Sequence, residues 1–176
     1  MIFRETALTG AYHIEPEQQG DERGFFARVY CEHEFAKRGL VSTFVQWSIS
    51  RNPRRGTLRG MHYQAAPHEE TKLIRCTAGA IYDVIIDLRE NSPTYRRWAA
   101  AELSAENCLA LYVPAGFAHG FLTLRDATEV AYHISAFYQP EAARGVRWDD
   151  SAFRITWPEG EKILSERDRG YPDFGR

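Results

Sequence analysis

Short alternating runs of apolar and polar residues, closed by turn residues, make up most of this chain. In residues 81–88 one set comprises Tyr82, Val84, Ile86 and Leu88, the other Ile81, Asp83, Ile85 and Asp87. Successive strand side chains point to opposite faces, so the two sets part. One face is apolar and the other is apolar with two carboxylates, the pattern of a barrel wall that lines a polar cavity. Residues 129–136 repeat it: Val130, Tyr132 and Ile134 share a face whose only polar tip is the Tyr132 hydroxyl. Residues 109–113 predict a further strand, closed by Pro114. Helix is scarce. Residues 32–38 predict one short helix with Gly39 as its C-terminal cap. Residues 104–107 predict a turn that Ser104 could cap. The polar stretch after Trp157 and Pro158 predicts loop and short turns packed over the barrel. With no repeat, low-complexity tract or linker, the expectation is a single all-β domain over residues 1–176, a barrel or sandwich with a few short helices.

Composition narrows the function classes. A chain of 176 residues buries a real core without staples. A net charge of −2 leaves no nucleic-acid footprint on the chain as a whole. The N-terminal stretch lacks an apolar run long enough for a signal peptide or a membrane span, so a cytoplasmic protein with no membrane partner is expected. Cys31, Cys76 and Cys108 are odd in number and form no C-x-x-C, which argues against a disulfide frame or a zinc knuckle. Cys76 lies in an apolar run and reads as a core thiol. The basic residues Arg51, Arg54 and Arg55, with Arg59 nearby, read as a small anion site or as a solvated loop.

Two segments stand apart from this strand grammar. Residues 56–64, Gly-Thr-Leu-Arg-Gly-Met-His-Tyr-Gln, put Arg59 and His62 inside a strand-like run. Residues 114–121, Pro-Ala-Gly-Phe-Ala-His-Gly-Phe, follow later in the chain. Together they resemble the paired motifs of cupin barrels. Gly56, His62 and Glu69 match the first motif, and Pro114, Gly116 and His119 the second. Gln64 stands where a metal-binding cupin has its second His, and Thr123 stands at the Asn. His62, Glu69 and His119 remain as ligand candidates, a poor set for an octahedral iron or manganese site. The expectation is therefore no metal, with His62 left for acid–base work. His119 equally fits a structural histidine beside a Pro-Gly turn.

Proton chemistry beside a ketone needs four parts. A base must lie within hydrogen-bond reach with a pKa near the working pH, and His is naturally poised there. A carboxylate on its far nitrogen fixes the tautomer. A cation stabilises the enolate oxygen. Inversion further needs a proton donor on the opposite face. His62 is the base candidate, Lys72 the cation and Tyr132 the phenol. Asp83 and Asp168 are both candidates to orient the imidazole, and spacing does not choose between them. Tyr132 equally fits a core aromatic with a wet tip, and Lys72 a surface lysine.

These residues resemble the dTDP-4-dehydrorhamnose 3,5-epimerase family. The resemblance rests on residues 21–26, 56–64, 72–75, 86–89 with 92–94, 114–121, 147–150 and 163–168, in order over nearly the whole chain. It implies a double-stranded β-helix, or jelly roll, acting as a homodimer without a cofactor. It also implies His62 as general base, Asp168 as its partner, Tyr132 as general acid and Lys72 as enolate stabiliser. Arg23, Phe26, Arg28, Gln46, Ser48, Arg59 and His119 fall at substrate-binding positions. The implied substrate is a nucleotide-linked 4-keto-6-deoxy sugar, on a route of deoxysugar biosynthesis for cell-surface polysaccharide. Two positions depart from the family pattern: Arg28 stands where Glu is usual and Ser48 where Asn is usual. The loop at residues 52–55 also reads as one residue longer. A guanidinium cannot make a carboxylate's hydrogen bonds, so the departures bear on the nucleotide base and not on the proton chemistry. A 3-epimerase or ketoisomerase on the same scaffold, a sugar-binding barrel and a metal-dependent cupin oxygenase are the competing readings.

Overall fold

A computed structural model of the protein describes residues 1–175. The strands are, in order, β1 (Ile2–Glu5), β2 (Tyr12–Glu15), β3 (Gln18–Asp21), β4 (Gly24–Ala27), β5 (Gln46–Asn52), β6 (Leu58–Gln64) and β7 (Lys72–Ala78). They continue with β8 (Ala80–Asp87), β9 (Trp98–Ser104), β10 (Ala110–Val113), β11 (Phe117–Thr123), β12 (Thr128–Ile134) and β13 (Ala143–Gly145). Two short helices, α1 (Glu32–Ala36) and α2 (Glu166–Arg169), complete the set with a 3₁₀ turn at Pro140–Ala142. One sheet runs β1-β2-β10-β7-β12-β5, the other β13-β6-β11-β8-β9, and β3–β4 is a separate hairpin. The paired strands are antiparallel throughout, and the architecture is the cupin-like jelly roll that the sequence implied.

The core lies between the sheets. Ile74, Cys76, Leu111, Val113 and Val130 come from the six-stranded sheet and meet Ile81, Ile85, Phe117 and Phe121 from the other. Each large apolar side chain buried there contributes roughly 1.5–3 kcal/mol. Cys76 is a core thiol as expected, and burial pushes it up to about 11. The outer faces are covered too. Val84 and Ile86 of β8 pack under Phe153, Trp157 and Phe174 of the C-terminal segment. Ile14 and Leu73 pack under Phe35 of α1, Tyr30 and Phe44. The mixed face of β8 turns inward, as the alternation required, and its apolar face is covered by the tail.

Boundaries differ from the sequence reading in small ways. The first helix stops at Ala36, because the Gly39 amide donates to the Ala36 carbonyl (2.9 Å) and the Leu40 amide to that of Phe35 (3.1 Å). Gly39 adopts φ +68° just beyond, the left-handed bend that closes such an end. The Ser104 turn forms as expected: the Asn107 amide donates to Ser104 Oγ and the Ser104 amide to Asn107 Oδ1, both at 3.0 Å. The tail packs over the barrel, tied by a bridge between Thr57 and Ile163, and it carries α2.

Asp87 pins one end of the barrel. It is fully buried and accepts hydrogen bonds from Arg89 Nε (2.9 Å), Ser92 Oγ (2.5 Å) and Thr94 Oγ1 (2.6 Å). Burial pushes its carboxyl up, but these donors outweigh it and hold the group down at about 2.

Candidate active site

Between the sheets opens a cavity of about 370 Å³. β5 sends Gln46, Ser48 and Ser50 into it, and the intervening Trp47 and Ile49 point out, 73% and 69% exposed. This is plain period-2 geometry. β6 is less simple. Arg59 and His62 both line the cavity although they lie three residues apart, which in a regular strand would put them on opposite faces. The pairing with β11 explains it. His62 faces His119, but Arg59 faces Phe121, so β6 carries one residue more than its partner between these points. The extra residue is a bulge that re-aims the strand. Gly60 makes the bulge fit: its φ is +145°, and a Cβ there would fall 2.5 Å from Gly120 Cα.

The imidazole of His62 is held by Asp168. Its Nε2 lies 2.8 Å from Asp168 Oδ1, and no described residue bonds its Nδ1. The side chain of His62 is 43% exposed, that of Asp168 only 6%. Ser165 caps α2 by accepting the Asp168 amide at 3.1 Å, and the Gly60 amide approaches Asp168 Oδ2 at 3.5 Å. Burial pushes the Asp168 carboxyl up. The hydrogen bond from His62, its charge and the other donors outweigh that and leave it below the ordinary value. The choice left open by spacing is thereby made. Asp83, the other candidate, pairs instead with His119, whose Nε2 lies 2.6 Å from Asp83 Oδ1, both groups being buried. His119 therefore has the partner of a structural histidine and still lines the cavity.

Lys72 is not a surface lysine. Its side chain is 8% exposed, with Nζ 2.8 Å from Glu70 Oε1 and 3.4 Å from the His62 carbonyl oxygen. Tyr132 sits on the cavity wall, its ring 5.8 Å from that of His119. Burial raises its hydroxyl well above the ordinary value, the Asp83 charge adds to this, and Arg59 opposes it. A phenol so placed stays neutral and able to donate. Arg59 is fixed by Nε donating to Asn52 Oδ1 at 2.8 Å.

Several expectations need correction. The basic run does not gather into an anion site. Arg51 lies 3.8 Å from Glu129, the Arg54 carbonyl accepts from Thr57 and Thr123, and the Arg55 amide binds Asp126. Only Arg59 reaches the cavity. Arg23, Phe26 and Arg28 are not brought to it within this chain. They lie on or beside the exposed β3–β4 hairpin, with Arg23 paired to Asp21 and Arg28 3.9 Å from Glu34. Sequence reading missed Ser50, Glu70, Ile134 and Tyr138, which also line the cavity. Ser50 and Ile134 had a signal: each lies two residues from a predicted site residue on the same strand, hence on the same face, whereas Glu70 precedes β7 on a loop. Tyr138 reaches the cavity from a loop and carried none.

The residues of the metal-ligand frame are placed as follows. Gln64 is buried, with Nε2 donating to the His68 carbonyl (2.9 Å) and Oε1 accepting the Gln139 amide (2.6 Å), so its amide is committed to the backbone. Glu69 lies exposed on the loop. Among the described residues no group of three His, Cys, Asp or Glu side chains is arranged to hold a metal ion.

Fold and cavity define a cupin-like jelly-roll protein whose barrel holds a His–Asp pair beside a phenol and a buried lysine. A family model described as dTDP-4-dehydrorhamnose 3,5-epimerase matches residues 5–175. The chain belongs to that family. It is 44% identical over 175 residues to the dTDP-4-dehydrorhamnose 3,5-epimerase of Sinorhizobium fredii, covering 99% of this chain and 90% of the relative. Among solved structures, the Bacillus anthracis enzyme of that name, with TDP and PPi bound, superposes with a TM-score of 0.95 at 43% identity, covering 98% of this chain and 99% of the other. A 3′-monoepimerase from Streptomyces bikiniensis, in complex with dTDP-quinovose, superposes with a TM-score of 0.89 at 32% identity, covering 96% and 85%.

Proposed function

We propose that this protein epimerises a dTDP-linked 4-keto-6-deoxy sugar at C3 and C5, using its own side chains and no metal or cofactor. The reading rests above all on one arrangement: the His62–Asp168 pair at 2.8 Å opens on the same cavity as Tyr132 and the buried Lys72. His62 takes the proton from the carbon beside the ketone. The electron pair of that C–H bond moves into a C=C bond, and the carbonyl oxygen becomes an enolate. The Lys72 ammonium stabilises the negative oxygen. Asp168 stabilises the imidazolium that forms. Tyr132 then gives its proton to the same carbon from the opposite face, and the ketone re-forms inverted. C3 and C5 both flank the C4 ketone, so one set of groups serves both. Arg59 takes the diphosphate, and Gln46, Ser48 and His119 take further polar groups of the substrate.

The second reading is inversion at C3 alone, favoured by the likeness to the 3′-monoepimerase. Reaction in D₂O separates the two. Deuterium at both carbons, with product inverted at both, supports the first; label confined to C3 supports the second. His62→Ala should abolish exchange and leave dTDP affinity nearly intact. Turnover within a factor of three of wild type would remove His62 from the role.

A homodimer follows from the same reading. β5 is an unpaired sheet edge bearing exposed Trp47 and Ile49, and the β3–β4 hairpin bears Phe25 and Phe26 at 55% and 76% exposure. A second copy that pairs these surfaces would bring Arg23, Phe26 and Arg28 to its partner's cavity. An active monomer in sedimentation at micromolar concentration would count against it. Arg28 and Ser48 make the base preference a matter for competition by dTDP, UDP, CDP and GDP. The setting is the cytoplasm, on a route to cell-surface polysaccharide. No helix among the described residues is long and apolar enough to cross a membrane.

A further inference from the structure

Gly145 has no conformational reason to be glycine, since it lies outside the set of positive-φ residues. Its reason is space. A Cβ at this position would lie 2.2 Å from Tyr171 Cζ, 2.3 Å from Cε2 and 2.6 Å from Cε1. The phenol end of Tyr171 therefore rests on the bare Cα of Gly145. In the β13–β6 pairing Gly145 stands directly opposite His62. The Tyr171 ring consequently comes against the His62 ring, with centroids 6.0 Å apart and planes at 66°. The seat is firm: next to Gly145, Val146 exchanges both backbone hydrogen bonds with Met61, at 3.1 Å and 2.9 Å. The Tyr171 hydroxyl is buried, with the Arg167 guanidinium as its polar neighbour, 5.9 Å from the ring centroid.

Asp168 alone does not hold the imidazole still. One hydrogen bond at Nε2 is a pivot, and the ring swings about it unless something bears on its side. His62 is the more exposed member of its pair and faces the open cavity. We infer that Tyr171, seated on Gly145, is a positioning residue that fixes the plane of the His62 ring. Asp168 and Tyr171 come from the same C-terminal segment and act on the ring at two points, one on the nitrogen and one on the ring itself. Bulk is what the contact uses, so the hydroxyl is dispensable and the glycine is not. The catalytic consequence rests on the reading of His62 as base; the ordering of the ring does not.

The test uses Tyr171→Ala, Tyr171→Phe and Gly145→Ala in the full chain, with wild type and His62→Asn alongside. Exchange of substrate hydrogen in D₂O gives kcat and KM, and side-chain NMR relaxation of labelled histidine gives the mobility of the His62 ring. Tyr171→Ala should lower kcat about 10-fold or more with KM within about twofold, because small misplacements of a reacting group are costly. Tyr171→Phe should restore kcat, and Gly145→Ala should copy Tyr171→Ala by pushing the ring off its seat. The His62 ring should gain mobility in both impaired variants. If Gly145→Ala does not fold, Tyr171→Ala with its Phe rescue carries the comparison alone. An unchanged ring mobility in Tyr171→Ala, or a Tyr171→Phe as impaired as Tyr171→Ala, overturns the inference. Exchange surviving in His62→Asn would instead overturn the base assignment, while the ring measurement still decides the positioning.

Discussion

Asp168→Asn isolates the charge behind the proposed base. Asparagine keeps the size of the side chain, and its amide oxygen still accepts from His62 Nε2–H. Binding and the resting geometry should survive. The loss falls on the imidazolium, which no longer faces a carboxylate. At an effective dielectric of about 20, unit charges 2.8 Å apart attract by roughly 6 kcal/mol. The imidazole is 43% exposed, and water screens about half of this. A loss of roughly 3–4 kcal/mol corresponds to about 10²–10³-fold in kcat. The same substitution in a serine-protease triad costs about 10⁴-fold, where the imidazole also takes the wrong tautomer. The assay is deuterium incorporation from D₂O into a dTDP-linked 4-keto-6-deoxy sugar, followed by NMR, with dTDP affinity measured in parallel. Turnover of Asp168→Asn within threefold of wild type, or a fall matched by lost dTDP affinity, would refute the reasoning.

Three further outcomes are expected. Tyr132→Phe should let exchange continue while inverted product falls, since washout needs only the base and inversion needs the acid; a variant that inverts at the wild-type rate would strip Tyr132 of its role. Exhaustive chelation should leave activity intact, and activity lost to chelator and restored by iron, manganese or zinc would overturn the proton-only mechanism. Asp87 links stability to pH. Its folded pKa of about 2 lies below the ordinary 3.8, so its stabilisation is present above about pH 4 and is lost as pH falls towards 2. The sum is roughly 2 kcal/mol, and Asp87→Asn should flatten the acid limb of a denaturation series while lowering stability at neutral pH.

What the sequence determined by itself follows from short-range geometry. Strand alternation in residues 81–88 and 129–136 was enough to place Asp83 and Tyr132 on inward faces, because the period of a strand is two whatever it packs against. Ser104 and Gly39 announced their turns for equally local reasons. The spacing of Arg59 and His62 hid its meaning, since a strict period would have put them on opposite faces, and only the pairing with β11 reveals the bulge. Which aspartate serves which histidine was likewise beyond spacing. His62 and Asp168 are 106 residues apart and His119 and Asp83 are 36 apart, so each pair exists only once the sheets and tail are assembled. Lys72 fitted a surface lysine as well as it fitted the cation until the fold buried it beside Glu70. Gly145 drew no reading from the sequence, and only the ring of Tyr171 lying on it gives the reason for its missing side chain. Local periodicity is written in the order of residues; the meeting of distant side chains is decided by packing.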